Sequence, residues 1–179
     1  MTTLIDTVRT PAYIAEWFQQ LQVQPLAQAV DDPTAAAVFS ADMVVGFCQR
    51  GSLASARIGA LTPLVVDLFR RAYAYGIRHF VLLQDTLHPS LGTPFDHWLE
   101  GHLKVWTAIV AGNCTDLCVY QLAMHLRLRA NALNLAAVRV IVPSEAVDTY
   151  DVAEEAPPSS GAKIHPGDFF HQVFFTTWR

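Results

Sequence analysis

Short apolar segments of strand length alternate along this chain with longer segments of helical periodicity. The apolar segments lie at residues 35–43, 79–84, 105–110 and 137–142, and none shows the polar face of a half-exposed strand. Strands that are apolar throughout suit a parallel sheet covered on both faces. Because crossovers between parallel strands are right-handed, we predict an α/β fold with a doubly wound, mostly parallel sheet between two layers of helices.

Helical segments separate these strands. The clearest one runs from Arg57 to Tyr75 and ends at Gly76, a residue suited to a left-handed C-cap. A shorter helix is predicted at 95–102. Thr115 is expected to cap a helix that reaches about Ala130. The segment 168–176 is read as a last helix, with a strand as the alternative.

Length and composition predict one globular domain. The chain has 179 residues, of which 52% are hydrophobic and 16% charged. We expect residues 1–34 to form an N-terminal leader that packs on a domain spanning 35–179. The net charge of −4 without a basic stripe argues against a nucleic-acid partner. No apolar run is long enough to cross a bilayer, and residues 1–10 have no signal-peptide core, so a cytoplasmic protein is expected.

In doubly wound sheets, ligands bind beyond the carboxyl ends of the strands, so polar residues there are site candidates. Asp42 follows the first strand, Asp85 the second, and residues 112–118 the third. Cys118 is expected in the first turn of a helix, where free N–H groups and the helix dipole lower a thiol pKa. The alternative is a small buried core cysteine. Asp42 is read as a general base or as a turn cap.

The segment after the third strand also favours an oxyanion site. Gly112 allows a tight turn, and residues 113–115 could present backbone N–H groups to a developing negative charge. Asp85 and His88 could supply two ligands to a divalent metal such as zinc. No third ligand is evident, so an ordinary polar loop is the alternative.

Two motifs resemble those of the isochorismatase-like cysteine hydrolases, which include nicotinamidases. Residues 42–48 (DMVVGFC) and then 51–54 (GSLA) resemble the first motif of that family, and residues 112–119 (GNCTDLCV) resemble its nucleophile motif. Residues 148–151 (DTYD) and 165–168 (HPGD) resemble nicotinamidase-type members. The resemblance covers about 38–175 and implies the three-layer α/β/α fold of the family.

The resemblance also implies roles for single residues. Cys118 would be the nucleophile and Asp42 its proton acceptor. The backbone N–H groups of Cys114 and Cys118 would form the oxyanion hole, next to a cis peptide between Asn113 and Cys114. Phe47 would line the substrate pocket.

The chain departs from the family at the third member of its Asp–Lys–Cys triad. Its only lysines are Lys104 and Lys163. Lys104 enters the third strand at the end opposite Cys118, which separates the two by about 25 Å at the rise of a β-strand. Without a lysine, the Asp42 carboxylate and a Cys118 thiolate repel each other, so Cys118 should be less ionised. The metal loop is also shortened, and Val45 stands where the family often has a polar residue.

Two functions from different classes follow. The first is hydrolysis of a C–N amide bond in a small molecule through a Cys118 thioester, with nicotinamide as the best single substrate. The second is a catalytically impaired relative that serves in ligand binding or assembly. The lost lysine is explained either by a real deletion or by a loop missing from this sequence. A homo-oligomer fits the family, although no interface is visible in the sequence.

Overall fold

The structure is a computed structural model that describes residues 11–22, 24–51, 54–84, 94–102, 105–152 and 164–177. These residues form one parallel sheet in the order β2-β1-β3-β4. Its strands are β1 (Ala36–Ala41), β2 (His79–Leu83), β3 (Thr107–Gly112) and β4 (Arg139–Ile141). The helices are α1 (Ala12–Gln19), α2 (Leu26–Ala29), α3 (Val45–Cys48), α4 (Ala56–Tyr75), α5 (Pro94–Gly101), α6 (Tyr120–Ala132) and α7 (Gly167–Thr177). The predicted parallel α/β fold is confirmed.

Two apolar clusters hold helices on opposite faces of the sheet. On one face, α4 packs against β1 and β3, and on the other face α5, α6 and α7 pack against the same strands. The first cluster includes Val38, Ile109, Leu61, Val65 and Leu68. The second includes Phe39, Val110, Leu99, Leu122, Leu126, Phe174 and Phe175. Because neighbouring strand residues point to opposite faces, Val38 and Phe39 belong to different clusters.

The strands differ in burial. Every residue of β1 and β3 is buried, whereas β2 and β4 are only partly covered, and Leu82 in β2 is 73% exposed. The expectation that all four strands are buried on both faces is therefore wrong for β2 and β4. These two strands lie at the edges of the described sheet, while the helices pack over its centre.

The strand order reverses direction between β1 and β3. In the register of these two strands, Ala41 lies opposite Gly112, so the residues that follow, Asp42 and Asn113, leave the sheet side by side. Gly112 has φ +109°, and a Cβ on it would lie 2.1 Å from the carbonyl oxygen of Ala41. Only glycine fits this close approach, which confirms the tight turn expected there.

The boundaries of α4, α5 and α7 agree closely with the sequence pattern. Helix α4 begins after Ser55, whose hydroxyl accepts the Ile58 N–H, and it ends at Gly76 in the left-handed conformation. The segment from Gly167 to Thr177 is a helix, which decides between the two readings of the last segment. In the leader, the Phe18 ring meets the Phe175 ring of α7 edge-on at 5.7 Å. The domain boundary at residue 34 stays a prediction.

Among the described residues, no helix has the length and apolarity needed to cross a membrane.

Candidate active site

Cys118 lies in a π-helical turn between β3 and α6. The turn spans Thr115–Val119, with Cys114 at its N-cap, and we call residues 114–119 the Cys118 turn. The Val119 N–H donates to the carbonyl of Cys114, five residues earlier, at 3.0 Å. The α-helix predicted from Thr115 therefore starts only at Tyr120. Single π-turns in helices are frequent at functional sites because they displace the local side chains.

The predicted cap by Thr115 is wrong. Cys114 is the N-cap residue, and no side chain caps this turn. The Thr115 hydroxyl instead lies 3.0 Å from Nδ1 of His171 in α7, and its side chain is buried. Thr115 therefore ties the turn to α7, a partner that local sequence does not reveal.

Asp42 is held rigidly at the end of β1. The residue is 3% exposed and has φ +52°, a left-handed conformation that Asp tolerates better than most residues. Its N–H donates to the Leu83 carbonyl at 2.9 Å. Its carbonyl accepts the Val44 N–H at 2.8 Å and the Asn113 side-chain amide at 2.8 Å. The backbone at Asp42 is thus fixed from both neighbouring strand ends.

The Cys118 thiol forms a hydrogen bond with the Asp42 carboxylate. Burial raises the pKa of Cys118 to about 12, helped by this hydrogen bond and by the negative charge of Asp42. A hydrogen bond from the Cys114 backbone acts in the opposite direction but is outweighed. The expectation of a lowered Cys118 pKa is therefore wrong, because burial and a neighbouring anion both favour the neutral thiol and outweigh the backbone group at the start of the turn. The expectation of a less ionised thiol, drawn from the lost lysine, agrees with this geometry.

Two backbone N–H groups at the start of the Cys118 turn already donate hydrogen bonds within the protein. The Asn113 N–H donates to the Ala41 carbonyl and the Thr115 N–H to the Asp148 carbonyl, each at 3.0 Å. These two amides are therefore not available to an oxyanion, contrary to the expectation for residues 113–115. The Cys114 backbone forms a hydrogen bond with the Cys118 sulfur. The expected cis peptide joins Asn113 to Cys114. The oxyanion role of the Cys114 and Cys118 amides stays a prediction.

A cavity of about 320 Å³ opens beside Cys118. Its described lining is Ala41, Asp42, Leu83, Gln84, Leu117, Cys118, Gln121 and Leu122. Among these side chains there is one carboxylate, and there is no lysine, arginine or histidine. Apolar walls with a few polar groups are typical of small-molecule sites. Phe47 lies on α3 and is not part of this lining, so its predicted contact with substrate stays a prediction.

Sequence reasoning missed two amide side chains in this cavity. Gln84 directly follows β2, and Gln121 lies three residues after Cys118. Residues three apart lie on the same side of a helical segment. The spacing from Cys118 could therefore have identified Gln121, and the strand-end rule could have identified Gln84. Both can hydrogen-bond a polar group of a bound molecule.

The two predicted metal ligands and the two lysines lie in parts of the chain that the structure does not describe. Asp85, His88, Lys104 and Lys163 all lie outside the described residues. Within the described ranges, no three His, Cys, Asp or Glu side chains come together as a metal site. The metal assignment therefore stays a prediction.

Comparisons with known proteins give a likeness in fold. No family model and no curated protein matches the chain. A nicotinamidase from Staphylococcus aureus is 19% identical with a TM-score of 0.47, over 64% of this chain and 84% of that one. An isochorismatase-like hydrolase from Alkaliphilus metalliredigens is 18% identical with a TM-score of 0.45, over 78% and 98% of the two chains. An N-carbamoylsarcosine amidase from Thermoplasma acidophilum is 19% identical with a TM-score of 0.43, over 78% and 92%.

The chain is therefore similar in fold to these three structures.

Proposed function

We propose that the chain is a cysteine hydrolase that cleaves a C–N amide bond in a small molecule. The observation that carries this proposal is the hydrogen bond between the Cys118 thiol and the buried Asp42 carboxylate beside a cavity of about 320 Å³. A nucleophile within hydrogen-bond reach of a base is the arrangement that covalent catalysis needs. The pair also lies where the strand order reverses, the usual ligand position in such sheets.

In the first half of the proposed reaction, the Cys118 sulfur attacks the carbonyl carbon of the amide while Asp42 takes the thiol proton. The resulting oxyanion accepts hydrogen bonds from the N–H groups of Cys114 and Cys118. Asp42 then gives its proton to the amide nitrogen, the C–N bond breaks, and ammonia leaves. A thioester on Cys118 remains.

In the second half, Asp42 takes a proton from water, and the hydroxide adds to the thioester carbon. The C–S bond then breaks, the carboxylic acid leaves, and Asp42 returns the proton to the sulfur. Because the thiol is neutral at physiological pH, proton transfer must accompany the attack rather than precede it. Three hydrogen bonds hold the backbone of Asp42, and a base on a fixed backbone suits such a concerted step.

Nicotinamide is our proposed substrate, since the motifs of the chain resemble those of nicotinamidase-type proteins. The test measures ammonia release from nicotinamide by wild type, Cys118→Ala and Cys48→Ala. Cys48 is a free cysteine in α3 outside the cavity lining and serves as the matched control. We expect activity in wild type and in Cys48→Ala, and a loss of at least about 10³-fold in Cys118→Ala, as for other removed nucleophiles. Equal rates of ammonia release by wild type and Cys118→Ala would contradict the proposal.

The second candidate is a binding protein that keeps the fold without catalysis. Two observations favour it: the Cys118 pKa is raised to about 12, and the chain has only two lysines, neither of which the sequence places near Cys118. Saturable binding of nicotinamide, seen as a rise in melting temperature, together with no ammonia release from wild type, would select this candidate. Whichever of the two functions is correct, we expect the protein to work in the cytoplasm. That it forms a homo-oligomer stays a prediction.

A further inference from the structure

Asp116 of the Cys118 turn forms a nearly buried pair with His165. His165 Nε2 lies 2.9 Å from Asp116 Oδ2, and the side chains are 9% and 14% exposed respectively. The other carboxylate oxygen, Oδ1, accepts the Thr149 hydroxyl at 2.6 Å. The other ring nitrogen, Nδ1, lies 2.9 Å from the Tyr150 carbonyl oxygen. Every polar atom of the two side chains therefore has a partner.

The partners of His165 decide how many protons the pair carries. A carbonyl oxygen only accepts, so Nδ1 must carry a proton to bond Tyr150. In neutral histidine, Nε2 would then present a lone pair to the lone pairs of the Asp116 carboxylate. The 2.9 Å contact is attractive only if a proton lies between these two atoms. The pair thus holds one proton more than a neutral imidazole and a carboxylate, and this proton lies between Nε2 of His165 and Oδ2 of Asp116.

The rings around His165 suit a positive charge. The Tyr150 ring stacks on one face at 4.0 Å and the Phe170 ring on the other at 4.3 Å. Aromatic faces attract cations most strongly where water is excluded. Three other titratable groups interact with the Asp116 carboxylate: the Cys114 thiol, the Tyr150 phenol and the His171 imidazole.

The Asp116–His165 pair connects the Cys118 turn to a distant backbone segment that includes Val152 and His165. Asp116 belongs to the turn, while His165 pairs with Val152 in an antiparallel bridge. The Thr115 N–H donates to the Asp148 carbonyl, and the Cys114 thiol contacts Thr149 and the Tyr150 backbone. Residues 148–152 and 165 therefore form a clamp on the Cys118 turn, and none of them is part of the described cavity lining.

We propose that the Asp116–His165 pair is a proton-sharing clamp that positions Cys118. Asp116 and His165 do not line the cavity, so they act on Cys118 through the backbone of the turn and are positioning residues. The importance of this orientation rests on the proposed function, but the clamp itself is tested without any hydrolysis. The resemblance of 148–151 and 165–168 to nicotinamidases then reflects support of the turn rather than contact with substrate.

The first test is the ring ¹⁵N spectrum of the full-length protein, labelled in histidine, with His165→Phe to assign the signal. We expect both ring nitrogens of wild-type His165 to be protonated at neutral pH. Asp116→Asn can donate its side-chain N–H to Nε2 and keep every hydrogen bond, so the signal should change to the neutral form with Nδ1 protonated. Asp67→Asn removes the same charge from an exposed ion pair in α4 and should leave the signal unchanged. A neutral His165 in wild type contradicts the proposal.

The second test measures alkylation rates of Cys114 and Cys118 with iodoacetamide, resolved by peptide mass spectrometry. Asp116→Ala removes the clamp, and we expect Cys114 to react about tenfold faster or more, since loss of a charge-assisted hydrogen bond eases local opening. Asp116→Asn should restore protection, and Asp67→Asn should match wild type. If folded Asp116→Ala leaves both cysteines as protected as in wild type, the clamp does not position the turn. Because neither test uses an amide substrate, failure of the clamp and failure of the hydrolase proposal are distinguishable.

Discussion

At Cys118, the same carboxylate provides a base and keeps the thiol protonated. Asp42 lies within hydrogen-bond reach of the sulfur, and burial together with its negative charge raises the Cys118 pKa to about 12. A general base accepts a proton as the sulfur attacks, so a high thiol pKa slows this chemistry without preventing it. Activity and thiol ionisation should therefore respond in opposite directions to a change at Asp42.

Asp42→Asn separates these two effects. Loss of the negative charge should lower the Cys118 pKa, so alkylation of Cys118 at about pH 8 should become faster. Ammonia release should fall by about 10²- to 10⁴-fold, because the general base is gone. Iodoacetamide kinetics and the ammonia assay measure the two results.

Asp67→Asn is the matched control for this change, since it removes a carboxylate from the surface of α4. It should alter neither rate. Slower alkylation in Asp42→Asn than in wild type would contradict the part of the raised Cys118 pKa that is assigned to Asp42.

At the level of elements, the site depends on how closely the ends of β1 and β3 approach each other. Gly112 closes on the Ala41 carbonyl, and the Asn113 side chain donates to the Asp42 carbonyl at 2.8 Å. Asn113 also donates its N–H to Ala41. These contacts place the carboxylate of Asp42 and the Cys118 turn next to each other.

Gly112→Ala tests this junction. A methyl group would lie 2.1 Å from the Ala41 oxygen, on a residue with φ +109°. We expect a loss of more than about 1 kcal/mol in the free energy of unfolding, measured in urea, because neither the backbone conformation nor the space suits a side chain.

Gly46→Ala provides the comparison, since a methyl group added to Gly46 in α3 would have no other atom within 4 Å. Alanine is the better helix former, so this variant should be neutral or slightly more stable. Equal losses for the two variants would show that the close approach at Gly112 does not matter.

The elements themselves were largely predictable. Strand and helix periodicity are local properties, and the predicted bounds of α4 differ from the observed Ala56–Tyr75 by one residue. The π-helical form of the Cys118 turn was not predictable, because it accompanies bonds to distant partners. Thr115 bonds His171, 56 residues away, and Thr149 bonds Asp116 across 33 residues.

Across the whole molecule, the buried Cys114 thiol and the partly buried Cys118 thiol make folding sensitive to alkaline pH. Burial raises the Cys114 pKa to about 11 and contributes most to the shift of Cys118 to about 12, both from an ordinary value of 9.0. Above pH 9 the unfolded chain loses thiol protons that the folded chain retains. The unfolded state then binds fewer protons, so the free energy of unfolding falls as pH rises.

We therefore expect full stability from these thiols below pH 9 and a progressive loss as pH rises through about 11 and 12. Urea unfolding of wild type and Cys114→Ala across this range tests the expectation. In Cys114→Ala, the free energy of unfolding should decline less steeply with pH than in wild type. Part of the decline should remain, because burial also raises the pKa of Cys118 and of Tyr150. Identical slopes in the two proteins would contradict a buried, protonated Cys114.

The sequence by itself determined the parallel α/β class, most element bounds, and the strand ends that carry Asp42 and Cys118. These follow from hydrophobic periodicity and from the connection rules of parallel strands, which act over short stretches of chain. Only the tertiary structure decided the direction of the Cys118 pKa, the hydrogen-bond partners of Thr115, and the pairing of Asp116 with His165. These depend on burial and on contacts between residues as far apart as Asp42 and Asn113, 71 positions along the chain, so no local pattern encodes them.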